Sequence, residues 1–303
     1  MSRKVRVSAV QLPAVIEGTG FADKQRRNRR EILAALRTAG ERASDLVLFG
    51  EYCNLHHRTW STNTREYVAD SIPGPLTRSV GALARRHTMN VALPVFGTWK
   101  GELSSHVVLF DRSGTIVDCY QKSHPTESEQ RMGIRPGRAL PVYTLDCVRL
   151  GIMTCMDIEY PEVAQVLMVR GAEMLFFPHV QGTWGEVDWE IRYRARAVDT
   201  GLPVVSACYG YPEGAWSPGK AIGRTSIIGR DGLVLADLGR RIGILTMDLD
   251  LKPGRITQFF FNEAHDRTTA VIASRRPELY YDLVDPRPKE LALKRIRLHK
   301  KGK

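Results

Sequence analysis

Residues 149–161 read Arg149-Leu150-Gly151-Ile152-Met153-Thr154-Cys155-Met156-Asp157-Ile158-Glu159-Tyr160-Pro161, and the chain soon reaches Met174-Leu175-Phe176-Phe177. Arg149 to Thr154 reads as a strand. Pro161 to Arg170 reads as a helix, with proline at or near the first helical position, where its missing N–H would be unpaired anyway. Met174 to Phe177 is a short apolar run of the kind found in strands. Strand, helix and strand in succession mark an α/β fold.

The same alternation runs outward in both directions. Val5 to Leu12 is a Val-rich strand with near period-2 alternation. Asp23 to Ala39 is a helix with Ile32, Leu33 and Leu36 as its apolar stripe and Gly40 just past its end. Leu46-Val47-Leu48-Phe49 is a continuous apolar run, as in a strand buried on both faces. A second helix is expected over Pro75 to His87. Val91 to Phe96 reads as a strand that Pro94 demotes in part. Ser105 to Phe110 and Thr115 to Tyr120 form a hairpin through Asp111-Arg112-Ser113-Gly114. Glu186 to Thr200 is a helix with Val187, Ile191, Ala195 and Val198 along one side. Pro203 to Ala207, Thr225 to Ile228, Leu233 to Ala236 and Gly243 to Leu249 are strands. Hairpins interleaved with strand–helix units imply mixed sheets with helices outside, not a purely parallel sheet.

With 303 residues and 43% hydrophobic content the chain can bury a sizeable core, which excludes a disordered tail protein. Its length alone suggests two domains, yet mixed α/β folds of this size are often one unit. No repeat and no Gly/Ser linker divides it. We expect one domain over residues 1–286 and a basic extension over 287–303. That extension carries Arg287, Lys289, Lys294, Arg295, Arg297, Lys300, Lys301 and Lys303 against Glu290 alone. It accounts for +7 of the net charge of +11, so the body is only mildly basic. A basic tail can engage phosphates. No aromatics interleave its charges, and no helix-turn-helix, zinc-finger or RNA-recognition signature stands elsewhere, so nucleic acid is not the expected partner.

Five cysteines, the closest pair eight apart, fit neither a short-range zinc pattern nor a disulfide framework. No apolar leader follows Met1, and no run of apolar residues is long enough to span a membrane. The expectation is a cytoplasmic protein with free thiols and no bound metal.

Three polar residues stand where strands end: Glu51 after Leu46–Gly50, Lys122 after Thr115–Gln121, and Cys155 after Arg149–Thr154. Strand C-ends form the usual active-site rim of α/β sheets. A cysteine at a strand-to-helix turn sits near helix N-terminal amides, which favour its thiolate. A thiol needs a base, and a desolvated carboxylate can serve. A lysine, and the backbone N–H of Met156, can hold the oxyanion of a tetrahedral intermediate. Tyr52 and Cys53 beside Glu51, and His179 and Trp184 after the Phe176-Phe177-Pro178 strand, are candidates for substrate contact. A Cys155–His179 dyad is conceivable but leaves Glu51 and Lys122 unexplained. His124 reads as structural, and Arg192, Arg194 and Arg196 as a solvated or ion-paired helix face.

The sequence resembles the nitrilase superfamily of carbon–nitrogen hydrolases. The resemblance rests on Leu46-Val47-Leu48-Phe49-Gly50-Glu51, on Tyr120-Gln121-Lys122-Ser123-His124, and on Gly151-Ile152-Met153-Thr154-Cys155-Met156-Asp157, in that order. Supporting segments are Gly171 to Pro178, Arg194 to Asp199, Thr225 to Gly232 and Arg275 to Tyr280. It implies a four-layer α-β-β-α sandwich and a Glu-Lys-Cys triad. Glu51 is then the general base, Cys155 the nucleophile and Lys122 the stabiliser of the intermediate. A second glutamate, Glu129 in preference to Glu127, orients the lysine and the substrate nitrogen. No metal or organic cofactor is implied, and a homodimer or larger even oligomer is. Gly50 replaces the family's usual proline, and Met156-Asp157 points to the amidase and carbamoylase branches. The expected reaction is hydrolysis of a small amide or N-carbamoyl compound through a cysteine thioester, releasing ammonia. Nitrile hydrolysis, acyl transfer to an amine, or a basic interaction protein with a vestigial triad are the rivals.

Overall fold

Period-2 alternation in the first strand sorts its side chains between two separate cores. Val5, Val7 and Ala9 of β1 (Lys4–Pro13) face one core, while Val10 and Leu12 face another. The computed structural model, which describes residues 3–55, 70–182, 185–251 and 271–285, builds both cores from the elements that follow. These are α1 (Phe21–Glu41), β2 (Leu46–Phe49), β3 (Asp70–Ile72), α2 (Pro75–His87), β4 (Asn90–Trp99), β5 (Glu102–Phe110) and β6 (Ile116–Gln121). Next come α3 (Glu127–Arg131), β7 (Val142–Thr144), β8 (Arg149–Ile152), α4 (Pro161–Val169) and β9 (Met174–Pro178). A long helix over 185–200, α5, follows. Then come β10 (Val204–Ala207), β11 (Tyr209–Gly210), β12 (Ser226–Ile228), β13 (Val234–Asp237) and β14 (Gly243–Asp250). These elements lie in one unit, Met1–Gly254; the other, Arg255–Lys303, contributes a 3₁₀ turn (Pro277–Leu279) and a short helix, α6 (Tyr281–Val284).

The strands make two mixed sheets. In the first, β1, β2 and β4 run parallel in that order, β5 and β6 continue antiparallel, and β14 pairs antiparallel with β1. In the second, β8, β9 and β10 are parallel at the centre, with β7 and β12–β13 antiparallel at the flanks. Leu46 and Leu48 of β2 share a core with Leu150, Ile152, Phe176 and Val205 of the second sheet. Val47 and Phe49 share the other with Ile32 and Leu36 of α1 and Leu76 and Val80 of α2. Both faces of β2 are therefore covered, which explains its unbroken apolar run. Two mixed sheets with helices in an α/β arrangement match the expected class.

Pro94 does not interrupt β4. It pairs with Val107 of β5, and its carbonyl accepts from the Cys53 N–H at 2.9 Å. The N and O of one strand residue point to the same side, so the Pro94 nitrogen also faces away from β5. On that side the β2 ladder has ended at Ala92 and β3 begins at Gly97. No ladder donor is missing at the gap, and the strand runs on to Trp99.

The helix over 185–200 is turned differently from its apolar stripe. Val187 and Ile191 are exposed, Ile191 by 62%, while Tyr193, Ala197 and Thr200 are buried. A π-helical segment, Asp188–Tyr193, rotates the face presented to the core. The arginine face expected to be solvated or ion-paired is so in part. Arg192 pairs with Glu159 and Asp188, Arg194 donates to the Gly232 carbonyl, and Arg196 is buried with its guanidinium on the Ile158 carbonyl. Among the described residues no helix is long and apolar enough to cross a membrane. The expected boundary at 286 and the basic residues of 287–303 lie outside the described residues.

Candidate active site

β2, β6 and β8 each deliver one polar residue within three positions of their last strand residue, and the two sheets bring these ends together. Lys122 is 1% exposed, and its ammonium lies between two carboxylates. Nζ donates to Glu51 Oε1 at 2.8 Å and to Glu129 Oε1 and Oε2 at 2.9 and 3.0 Å. Glu129 is fixed by its own helix start. Thr126 caps α3, and the Glu129 carboxylate reaches back to the Thr126 N–H at 2.5 Å, a capping box. The Tyr52 hydroxyl donates to the same carboxylate. Glu127, the competing glutamate, points into solvent and pairs with Arg131.

Glu51 is fully buried, and its carbonyl accepts from the Tyr209 hydroxyl at 2.5 Å. The residue before it, Gly50, passes the backbone of Cys208 closely. A Cβ there would stand 3.0 Å from the Cys208 oxygen and 3.2 Å from its Cα. Glycine thus allows the end of β2 to approach the crossing into the second sheet. Gly50→Ala presses on backbone atoms that cannot rotate away. We expect it to cost about 1–3 kcal/mol, as overpacking does, and to slow turnover by displacing Glu51. Urea unfolding and kcat of the variant check this; unchanged values of both contradict it.

Cys155 has φ +48°, in the left-handed region, and opens a 3₁₀ turn, Cys155–Glu159, that runs into α4. Such a backbone is unfavourable for a residue with a side chain and persists where its surroundings hold it. Met156 follows it in the turn. The Val180 N–H is aimed at the sulfur, and the thiol neighbours Glu51, whose Oε2 is buried without a hydrogen-bond partner of good geometry.

The electrostatics differ from the expectation that helix amides favour a thiolate. Burial, then the Glu51 charge, push the Cys155 thiol well above its usual range, although Lys122 and the Val180 N–H act the other way. Burial raises the Glu51 carboxyl to about 7, against the pull of Lys122. Burial alone would lower the Lys122 ammonium, but Glu51 foremost, with Cys155 and Glu129, raises it. At neutral pH this describes a protonated thiol, a charged lysine and a carboxyl near its midpoint.

His179 is buried and stacks on Phe177 with centroids 5.0 Å apart; its Nε2 contacts the Tyr193 hydroxyl at 3.1 Å. Burial lowers it to about 3, so its ring is neutral. The imidazole is engaged by Tyr193, and its Nδ1 has no partner, so no Cys155–His179 dyad forms. Tyr52 is buried on Glu129, and Cys53 is buried in the core beneath. Trp184 lies outside the described residues. All five cysteines are free thiols. Among the described residues no group of three His, Cys, Asp or Glu side chains is placed to hold a metal ion.

Sequence reading took Asp157 only as a marker of the amidase and carbamoylase branches and gave it no place in the site. Its buried carboxylate accepts from Thr154 N, Tyr120 Oη and His124, and the Thr154-x-x-Asp157 spacing, a capping pattern, was its available signal. Tyr209 had none, since its bond to Glu51 spans 158 positions.

The carbon-nitrogen hydrolase family pattern matches residues 6–257 of this chain. A probable nitrilase of Schizosaccharomyces pombe is 26% identical over 258 residues, covering 80% of this chain and 87% of the relative. The omega-amidase of Bos taurus is 27% identical over 229 residues, covering 72% and 80%. An amidase from Nesterenkonia sp. AN1, of the nitrilase superfamily, superposes with a TM-score of 0.71 at 20% identity, over 92% of this chain and 99% of that one. In that structure acrylamide has added to the amidase's own active-site cysteine. At that identity the likeness speaks for the fold alone, while the sequence match spans most of this chain. The chain belongs to the carbon-nitrogen hydrolase family.

Proposed function

We propose that the chain hydrolyses a small primary amide or an N-carbamoyl compound, with Cys155 as nucleophile, Glu51 as general base and Lys122 as the cation that holds the oxyanion. The observation that carries this reading is the buried Lys122 ammonium between Glu51 and Glu129, beside the thiol of Cys155. Glu51 takes the thiol proton as the sulfur attacks the carbonyl carbon. Negative charge moves to the substrate oxygen, toward Lys122 and the Met156 N–H. Protonated Glu51 passes its proton to the leaving nitrogen, the C–N bond breaks, and a thioester remains. Glu51 then takes a proton from water, the hydroxide attacks the thioester, and the sulfur regains a proton as the acid departs. Lys122 stays charged throughout, and Glu129 with Tyr52 keeps its amine in place. We read the sheets and their helices as the four-layer α-β-β-α sandwich. Relatives named as amidases favour amides over nitriles as the first substrates to test.

The raised Glu51 carboxyl sets the pH dependence. Below its midpoint the carboxyl is protonated and cannot accept the thiol proton. We therefore expect kcat/KM to rise with pH through about 7 and to fall tenfold for each unit below it. A profile of the wild type between pH 5 and 9 checks this, and a flat profile across that range contradicts it. The substrate class is tested by ammonia release over primary amides, N-carbamoyl amino acids, carbamoyl amines and nitriles, with Cys155→Ala as blank. Release from no amide and no carbamoyl compound would overturn the substrate assignment.

A further inference from the structure

One buried carboxylate joins the two segments that carry Lys122 and Cys155. Asp157 has no solvent exposure. Its Oδ1 accepts from the His124 N–H at 2.9 Å and contacts His124 Nδ1 at 2.8 Å. Its Oδ2 accepts from the Tyr120 hydroxyl at 2.7 Å and from the Thr154 N–H at 2.8 Å. Tyr120 and His124 lie on either side of Lys122, and Thr154 and Asp157 lie on either side of Cys155 and Met156. The first segment leaves β6 in one sheet and the second leaves β8 in the other.

The turn itself is closed by the same residue. The Asp157 N–H donates to the Thr154 carbonyl at 3.0 Å while its carboxylate receives the Thr154 N–H. This reciprocal pair brackets Cys155, whose left-handed backbone needs restraint. On the other side, the Tyr120 hydroxyl also meets Ser123 Oγ at 2.9 Å, and His124 stacks on Tyr160 with centroids 4.0 Å apart. The largest charges acting on the Cys155 thiol are those of Glu51, Lys122 and Glu129. The hydrogen bonds of Asp157 hold the backbone on both sides of the nucleophile.

We propose that Asp157 is a positioning residue for the hydrolysis: its carboxylate, held by Tyr120 and His124 on one side and Thr154 on the other, sets the separation of the Lys122 ammonium from the Cys155 sulfur. The inference rests on the roles given above to Lys122 and Cys155. Misplacing reacting groups by about 1 Å can cost about 100-fold in rate. Substrate binding to the rest of the pocket is untouched, so the loss falls on kcat.

The test compares Asp157→Asn, Tyr120→Phe and Cys155→Ala by ammonia release from an amide the wild type hydrolyses. Asparagine places an NH₂ donor against donors, and phenylalanine removes one of the four contacts while keeping the ring. Turnover is normalised to the folded fraction of each variant, read from the amplitude of its cooperative urea-unfolding transition, so loss of folded protein does not count as lost catalysis. For Asp157→Asn we expect kcat per folded site to fall about 100-fold, and for Tyr120→Phe about 10-fold, with KM within about threefold of wild type in both. Full kcat per site in both variants, or a loss confined to KM, overturns the assignment. Should Asp157→Asn fail to fold, Tyr120→Phe decides: full kcat per site overturns the assignment and a tenfold loss supports it. Cys155→Ala separates the two levels. If it is inactive while the other variants are unimpaired, only the role of Asp157 falls; if it retains turnover, the underlying reading falls and Asp157 with it.

Discussion

Replacing Cys155 by alanine is expected to lower kcat by about 10⁴-fold or more, since removal of a covalent nucleophile eliminates the pathway and does not merely weaken a contact. The fold should survive the change. Cys155 keeps partial exposure, and its thiol donates no hydrogen bond of good geometry to Glu51 Oε2. The thiol is protonated at neutral pH, so its removal leaves Glu51 and Glu129 with the same counter-charge, Lys122. The melting temperature of the variant should therefore stay close to that of the wild type while ammonia release disappears. Retained release from a substrate of the wild type would exclude Cys155 as the nucleophile. Lost release accompanied by unfolding would point to a packing role instead.

Lys122→Met is expected to damage both rate and stability. The ammonium is the nearest counter-charge of two buried carboxylates, and methionine leaves Glu51 and Glu129 facing each other without it. Breaking a buried ion pair by removing one partner costs about 3–5 kcal/mol. Lys122 is also the influence that holds the Glu51 carboxyl down against burial, so its loss drives that carboxyl upward and removes the base at neutral pH. Together with the lost oxyanion contact, we expect kcat to fall about 10³-fold or more. The stability loss depends on pH, and its sign follows from linkage. In the variant the folded state holds the carboxyl protons more tightly than the unfolded chain does. Folded stability then falls as pH rises through the ordinary carboxylate range and beyond. Urea unfolding at pH 5 and pH 8 should show the larger deficit at pH 8. An equal deficit at both values would mean that the carboxylates do not depend on Lys122.

Much of this candidate site could be read from local pattern because the three residues proposed to react sit near strand ends. Leu46–Phe49 is covered on both faces, so its apolar run has no gaps and the polar residue past Gly50 stands out. The β5–β6 hairpin is set by Asp111, whose carboxylate accepts from Ser113 N and Thr115 N at 2.9 and 3.0 Å, an interaction confined to five residues. The features that escaped depend on contacts between distant segments. Gly50 was readable only as a departure from a proline, while its cause is the backbone of Cys208. The helix over 185–200 was rotated by a π segment, which 3.6-residue periodicity cannot register, and Tyr193 rather than Val187 faces inward. Pro94 was read by a rule about ladder donors, and it sits at the one stretch of β4 where that side has no ladder strand. The upward shift of the Cys155 thiol came from enclosure with two carboxylates, which outweighs the amides of a turn.

The account stands or falls on a covalent acyl intermediate at Cys155. Quenching the wild-type enzyme during turnover of a slow amide, then mapping peptides by mass, tests this directly. We predict the mass of the acyl group on the peptide that carries Cys155, its disappearance when substrate is exhausted, and its absence in Cys155→Ala. Turnover with no adduct at Cys155, or with an adduct on Cys53, Cys119, Cys147 or Cys208 instead, would contradict it.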